Sequence, residues 1–155
     1  MSPQQRTRTE MRPSERGAHD RFMPPSETIT LAPRNANVAA ARRFVTGWFA
    51  CGAALDPASD DLADLALITS ELVTNAFEHG DDRPVEICVS FDGAAARLSV
   101  TSHGPEHLAP SADWAVAGVD AASGRGLGIV KSLVDDVAID RDDDRLTVAI
   151  THRLR

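Results

Sequence analysis

The sequence predicts an α+β fold, a two-layer sandwich in which a mostly antiparallel sheet carries its helices on one face. Segments with apolar residues at three- and four-residue spacing indicate amphipathic helices, and shorter segments with apolar residues at alternate positions indicate strands. The two kinds of segment follow one another in the order β-α-α-β-β-loop-α-β-β. A length of 155 residues is typical of one such domain.

The first strand and the first helix are predicted in residues 26–52. Residues 26–31 are rich in β-branched side chains, which favour a short strand, and Pro33 ends it. A helix begins after Asn35 or Asn37, since asparagine is a favoured N-terminal cap, and ends at Gly52.

The second helix has the clearest pattern in the sequence. It begins near Ser59 or Asp60, where acidic residues complement the helix dipole, and ends at Gly80. Its apolar face is formed by Leu62, Leu65, Ile68, Leu72 and Ala76.

Two hairpins and a third helix complete the predicted fold. The first hairpin joins residues 85–91 to residues 97–101 through an Asp-Gly turn, and the second joins 137–140 to 146–153. Between the hairpins, residues 102–124 are rich in Gly, Pro, Ala and Asp and predict a long loop. The third helix is predicted from about Leu127 to Asp135.

Charge and composition narrow the classes of function. Residues 1–25 carry a net charge of +2 and few large apolar residues, which predicts a disordered basic tail, whereas residues 26–155 carry −9 and form the predicted domain. A body of that sign repels phosphate backbones, so direct nucleic-acid binding is not expected. No signal peptide or membrane-spanning run is visible, so we expect a cytoplasmic protein. Two cysteines cannot form a disulfide framework.

One face of the second helix carries polar residues that could bind a ligand. Glu71, Asn75 and His79 follow one another at four-residue spacing and therefore project from the same side. An amide oxygen can bind Mg²⁺, and a carboxylate one turn away can deprotonate an attacking hydroxyl. The alternative is a solvated polar face without a ligand.

A run of glycines precedes the predicted third helix. Gly124, Arg125, Gly126, Leu127 and Gly128 form a G-x-G-x-G pattern, in which the missing side chains leave the backbone open to an anion. The free amide groups at a helix N-terminus, with the nearby arginine, favour phosphate binding. The run is neither of the two common phosphate loops, and a mobile hinge is the alternative.

A third candidate lies at the end of the strand before the long loop. The sequence there reads Ser102-His103-Gly104, and Gly104 permits a tight turn or the close approach of a flat ligand.

The order of these motifs resembles the GHKL (Bergerat-fold) ATPase domain. Helix with E-x-x-x-N-x-x-x-H-G, hairpin, strand with a glycine turn, long loop, G-x-G-x-G, helix and hairpin all follow in the same order over residues 26–155. Within this superfamily, the short single domain resembles the bacterial anti-sigma-factor serine/threonine kinases.

The resemblance implies roles for individual residues in binding ATP and Mg²⁺. Asn75 would bind the Mg²⁺ that bridges the phosphates, Glu71 would be the general base, and His79 would belong to the same nucleotide site. Residues 124–128 would hold phosphates with their backbone amides, and residues 105–123 would form a lid. Ser102 and Gly104 occupy the first glycine box, and Thr147 matches a threonine that helps to fix adenine through a water.

The sequence departs from the family at Ser102, where the family has an aspartate that accepts a hydrogen bond from adenine. A neutral acceptor is worth roughly 1–2 kcal/mol less, which corresponds to a ten- to thirtyfold weaker affinity for ATP. The resemblance implies an anti-sigma kinase that sequesters a sigma factor, phosphorylates a STAS-type anti-sigma antagonist and forms a homodimer. The alternative is a non-catalytic partner-binding module with weak or lost nucleotide binding.

Overall fold

The computed structural model describes residues 26–105 and 122–155, and of residues 122–125 it describes the backbone alone. The predicted tail and most of the predicted lid lie outside the described residues. The elements occur in the predicted order: β1 Ser26–Leu31, α1 Ala36–Gly52, α2 Asp60–His79, β2 Val85–Phe91, β3 Ala95–His103, α3 Ala122–Leu133, β4 Asp136–Asp142 and β5 Arg145–Arg153.

The strands form one antiparallel sheet in the order β1-β2-β3-β5-β4, so the predicted fold class is confirmed. Residues at alternate positions of β2, β3 and β5 are buried against the helices, as the two-residue period of a strand requires. The core lies between the sheet and the helices, and its largest fully buried side chains include Phe49, Leu65, Ile68, Ile87, Leu98 and Ile150.

The ends of α2 follow the predicted pattern of helix signals. The Ser59 hydroxyl accepts a hydrogen bond from the amide of Leu62 at 3.3 Å, which makes Ser59 the N-terminal cap. Asp60 and Asp61 lie in the first turn, and Gly80 is the C-terminal cap. The cap of α1 differs: Asn35 occupies the cap position but its side chain makes no capping bond.

Helix α3 begins earlier than the sequence predicts, at Ala122 instead of about Leu127, and it ends at Leu133. Glycine is unfavourable inside a helix, and for this reason the sequence pattern predicts a loop before Leu127. The packing of α3 against α2 overrides that preference, since Leu127 and Val130 are buried in the interface and Gly126 contacts Glu71.

Helices α2 and α3 run in opposite directions. Gly126, in the first half of α3, lies against Glu71 in the second half of α2. At the other end, His152 bonds both the carbonyl of Leu133 and the carboxylate of Asp61. The polar face of α2 and the glycine run of α3 therefore face each other. None of the helices in residues 26–105 and 122–155 is long and apolar enough to cross a bilayer.

Candidate functional site

The polar face of α2 has the placement that a ligand site needs. Glu71 is partly buried, whereas Asn75 is only 3% exposed. The side-chain nitrogen Nδ2 of Asn75 is buried and has no hydrogen-bond partner among the described residues. Leaving such a donor unpaired costs about 1–3 kcal/mol, so the position is unfavourable unless a ligand or water completes it.

Gly126 brings the glycine run into contact with this face. A methyl group at Gly126 would overlap Oε2 of Glu71 and would lie 3.3 Å from Cδ of the same carboxylate. Only a residue without a side chain lets the backbone of α3 approach Glu71 in this way. The structure thus brings together Glu71 and Gly126, which the sequence places in two separate motifs, and Asn75 lies one helical turn from Glu71 on α2.

The backbone amides of the glycine run do not all have the predicted environment. The unpaired amides of a helix belong to its N-terminal cap and its first three helical residues, which in α3 are residues 122–124. Gly124 therefore keeps a free amide, while the amides of Arg125, Gly126, Leu127 and Gly128 lie within the helical hydrogen-bonding pattern. Phosphate binding by the latter four would require the first turns of α3 to unwind.

A narrow pocket lies between the second half of α2 and the sheet. Its volume is about 10 Å³, which is room for about one water molecule, so a purine base would have to displace the side chains around it. The pocket is lined by Leu72, Asn75, Ala76, His79, Val100, Ser102, Leu146 and Val148.

Ser102 and Gly104 have different environments, although both belong to the predicted first glycine box. Ser102 is 3% exposed and lines the pocket. A Cβ atom at Gly104 would lie 3.3 Å from the amide nitrogen of Asp81 and 3.5 Å from the carbonyl carbon of Gly80. Gly104 is therefore needed where the end of β3 approaches the end of α2, and the Asp81 amide donates a 2.6 Å hydrogen bond to the carbonyl of His103.

The structure does not bring Thr147 to the pocket. Leu146 and Val148 line it, and Thr147, between them on β5, lies on the opposite face of the sheet. There its hydroxyl forms a 2.8 Å hydrogen bond with the hydroxyl of Thr101, the residue directly opposite on β3. The residues of this part of β5 that line the pocket are therefore Leu146 and Val148, which the sequence motifs do not single out.

An arginine that joins the end of α2 to the turn between β4 and β5 is a second feature that the motifs do not reveal. Arg83 forms ion pairs with Asp81, at 2.7 Å, and with Asp144 in the turn between β4 and β5. The carbonyl of Asp144 accepts a 2.9 Å hydrogen bond from the amide of Gly104. Hydrogen bonds from Arg83 lower the pKa values of the Asp81 and Asp144 carboxyl groups below the usual range for aspartate. The network joins segments that are 61 residues apart, so no local pattern predicts it.

The lowered pKa values predict a stability difference that depends on pH. In the unfolded chain both aspartates titrate near a pKa of about 3.9, so Arg83 contributes its full stabilisation above that pH. The contribution is lost as the pH falls through the lower folded-state pKa. We therefore expect Arg83→Gln to lower the urea midpoint at pH 7 and to have a smaller effect near pH 3.

The control for this experiment is Lys131→Gln, which removes an exposed cation that forms no ion pair with the described residues. Its effect should not follow the titration of the two aspartates. A difference between wild type and Arg83→Gln that stays constant from pH 7 to about pH 3 would contradict the assigned role of Arg83.

Helices α2 and α3 and the sheet thus form an α+β domain that places the polar face of α2 beside a narrow pocket. A sequence model of the histidine kinase-like ATPase domain family matches residues 31–152, and the chain belongs to this family. The predicted membership in the GHKL ATPases is thereby confirmed.

Among solved structures, the chain is similar to that of the RsbU and RsbW domains of Rv1364c from Mycobacterium tuberculosis. The identity is 25% and the TM-score 0.62, and the match covers 84% of this chain. This chain spans only 32% of the Mycobacterium chain, which is much longer. A search of curated proteins found no match.

Proposed function

We propose that this domain binds ATP with Mg²⁺ and is an anti-sigma regulatory factor with serine/threonine kinase activity. The observation that carries the proposal is the contact between Glu71 on α2 and Gly126 on α3, one helical turn from the buried amide of Asn75. The similarity to a structure that contains an RsbW domain supports the same proposal.

Asn75 and Glu71 fit a site for one magnesium ion. Mg²⁺ takes few protein ligands and keeps waters and phosphate oxygens in its shell, so one amide oxygen with a carboxylate nearby is sufficient. No group of three or more His, Cys, Asp or Glu side chains in the described part of the chain could hold a metal by itself. When bound, Mg²⁺ would neutralise charge on the phosphates.

Other groups of this chain would bind the phosphates and accept the proton during phosphoryl transfer. The free amides at the N-terminus of α3, from residues 122–124, would bind phosphate oxygens, helped by the positive end of the helix dipole. Glu71 would accept the proton of the attacking serine or threonine hydroxyl. Gly126 would keep the backbone of α3 close enough for both steps to occur in one place.

The base pocket is the part of the site that departs most from an ATP-binding pocket. Ser102 provides a neutral acceptor and Leu146 provides none, so few polar groups could select adenine. The pocket also has to widen before a base can enter, as its volume of about 10 Å³ shows. We therefore expect weak binding of ATP and a small preference for ATP over GTP.

The proposed partners are a sigma factor, which the domain would sequester, and a STAS-type anti-sigma antagonist, which it would phosphorylate. We also propose a homodimer. The net charge of −9 on residues 26–155 favours partner surfaces that are neutral or basic. A second candidate is a non-catalytic partner-binding module, which the narrow pocket and the substitution at Ser102 favour.

Nucleotide binding with and without Mg²⁺ tests the proposal. We expect native protein to bind ATP more tightly with Mg²⁺, and Asn75→Ala to lose that Mg²⁺-dependent part. Ser102→Asp restores a charged acceptor and should strengthen ATP binding about ten- to thirtyfold, with a smaller effect on GTP. Isothermal titration calorimetry of all three proteins with both nucleotides would measure these differences.

The same titrations decide between the two candidates. Negligible binding by the native protein, Asn75→Ala and Ser102→Asp alike, with each protein folded by circular dichroism, would leave only the partner-binding module.

A further inference from the structure

A buried histidine joins three elements at the end of the domain opposite the pocket. The ring of His152, on β5, is 1% exposed. Its Nε2 lies 3.0 Å from Oδ1 of Asp61, in the first turn of α2, and its Nδ1 lies 2.9 Å from the carbonyl oxygen of Leu133, the last residue of α3. The other carboxylate oxygen of Asp61 accepts a 2.8 Å hydrogen bond from the amide of Arg155.

The protons of this arrangement can be counted from its acceptors. A carbonyl oxygen can only accept, so Nδ1 of His152 must donate to Leu133. Nε2 makes the second hydrogen bond of the ring, with the carboxyl group of Asp61. The ring of His152 bonds Leu133 and Asp61 at the same time. An apolar residue of similar size would leave both groups without these hydrogen bonds.

The linkage also matches the electrostatics of the two helices. Asp61 lies at the N-terminus of α2, where the helix dipole favours negative charge, and the last carbonyls of α3 favour a donor or a cation. Because the helices are antiparallel, these two ends lie side by side, and His152 fits between them. Leu133 is seven residues from Gly126, or about 10 Å along the helix axis.

We propose that His152 is a positioning residue that links the C-terminal end of α3 to the N-terminal end of α2 and thereby holds Gly126 against Glu71. Asp135 attaches the segment after α3 to β5 through bonds with Thr151 and Arg153, but among the described residues it makes no bond to α3 itself. His152 contacts the helix directly. The inference rests on the proposed function, since it gives His152 an effect on nucleotide binding.

Two conservative substitutions separate this role from a general contribution to stability. His152→Asn keeps a donor at the place of Nδ1 and can still bond Leu133, whereas His152→Gln keeps one at the place of Nε2 and can bond only Asp61. Both variants lose one buried hydrogen bond, so both should be less stable than the native protein. Only His152→Gln should release α3.

We expect amide hydrogen exchange in residues 126–133 to be about tenfold faster in His152→Gln than in His152→Asn, relative to amides of β3 in the same protein. Affinity for Mg²⁺-ATP should fall about tenfold in His152→Gln and change little in His152→Asn. Asp61→Asn, which leaves the bond to Leu133 in place, should behave like His152→Asn and serves if either histidine variant does not fold.

Equal exchange rates of α3 in the two histidine variants would overturn the positioning role. The exchange measurement needs no ligand, so it decides the role of His152 even if the native protein binds no nucleotide. Failure of the proposed function and failure of this inference are therefore distinguishable.

Discussion

Glu71→Gln is expected to abolish phosphoryl transfer and to leave nucleotide binding in place. Glutamine has nearly the same size as glutamate, so the side chain still fits beside Gly126, but it cannot accept the proton of the attacking hydroxyl. Loss of a general base lowers the rate by about 10²–10⁴-fold. The measurement is label transfer from γ-labelled ATP to a STAS-type antagonist protein of the same organism.

The matched control is Glu78→Gln, which makes the same chemical change at an exposed position of the same helix. It should transfer label at the native rate. If Glu71→Gln retains transfer within a few-fold of the native protein, Glu71 is not the base, and the carboxylate is instead a structural neighbour of α3.

Gly126→Ala should reduce transfer about a hundredfold without unfolding the domain. The added methyl group overlaps the carboxylate of Glu71, which is the far end of a flexible side chain and can turn away. Alanine is also about 1 kcal/mol more favourable than glycine inside a helix, so the free energy of unfolding should stay near the native value. The variant thus displaces the proposed base while α3 remains intact.

Gly47→Ala controls for the helix effect. Gly47 lies within α1, and nothing in the described structure is within 4 Å of a Cβ atom at that position. The free energy of unfolding of this variant, measured by urea denaturation, should be about 1 kcal/mol higher than that of the native protein. The variant should transfer label at the native rate. Native activity in Gly126→Ala would mean that the contact with Glu71 has no part in the reaction.

The elements that the sequence predicts well are those with strong local patterns. The apolar face of α2 and its Ser59 cap are set by spacing along one helix, and the Asp-Gly turn between β2 and β3 is present with Gly93 at a positive φ of 96°. The meeting of the two motifs at Glu71 and Gly126 was anticipated only through the family resemblance, because no local pattern determines which helices pack together.

The sequence predicts less where tertiary packing decides. The family resemblance implies a place for Thr147 beside adenine, but side chains alternate along a strand, and the structure places Leu146 and Val148 at the pocket and Thr147 on the opposite face of the sheet. Likewise, the start of α3 depends on the contact between Gly126 and α2, which outweighs the low helix propensity of glycine. The bond of His152 to Asp61 joins residues 91 positions apart and has no signature in the sequence.

The close approach of Gly80 and Gly104 bears on how the domain could respond to a ligand. At the C-terminal end of α2, the backbone of Gly80 and Asp81 lies against the backbone of Gly104, and this contact opposes sliding of α2 along its axis relative to β3. Asp61 fastens the opposite end of the same helix to β5. Glu71 and Asn75 lie between these two attachments, so we expect α2 to keep its position on the sheet when a ligand binds and the part of α3 farthest from Leu133 to adjust.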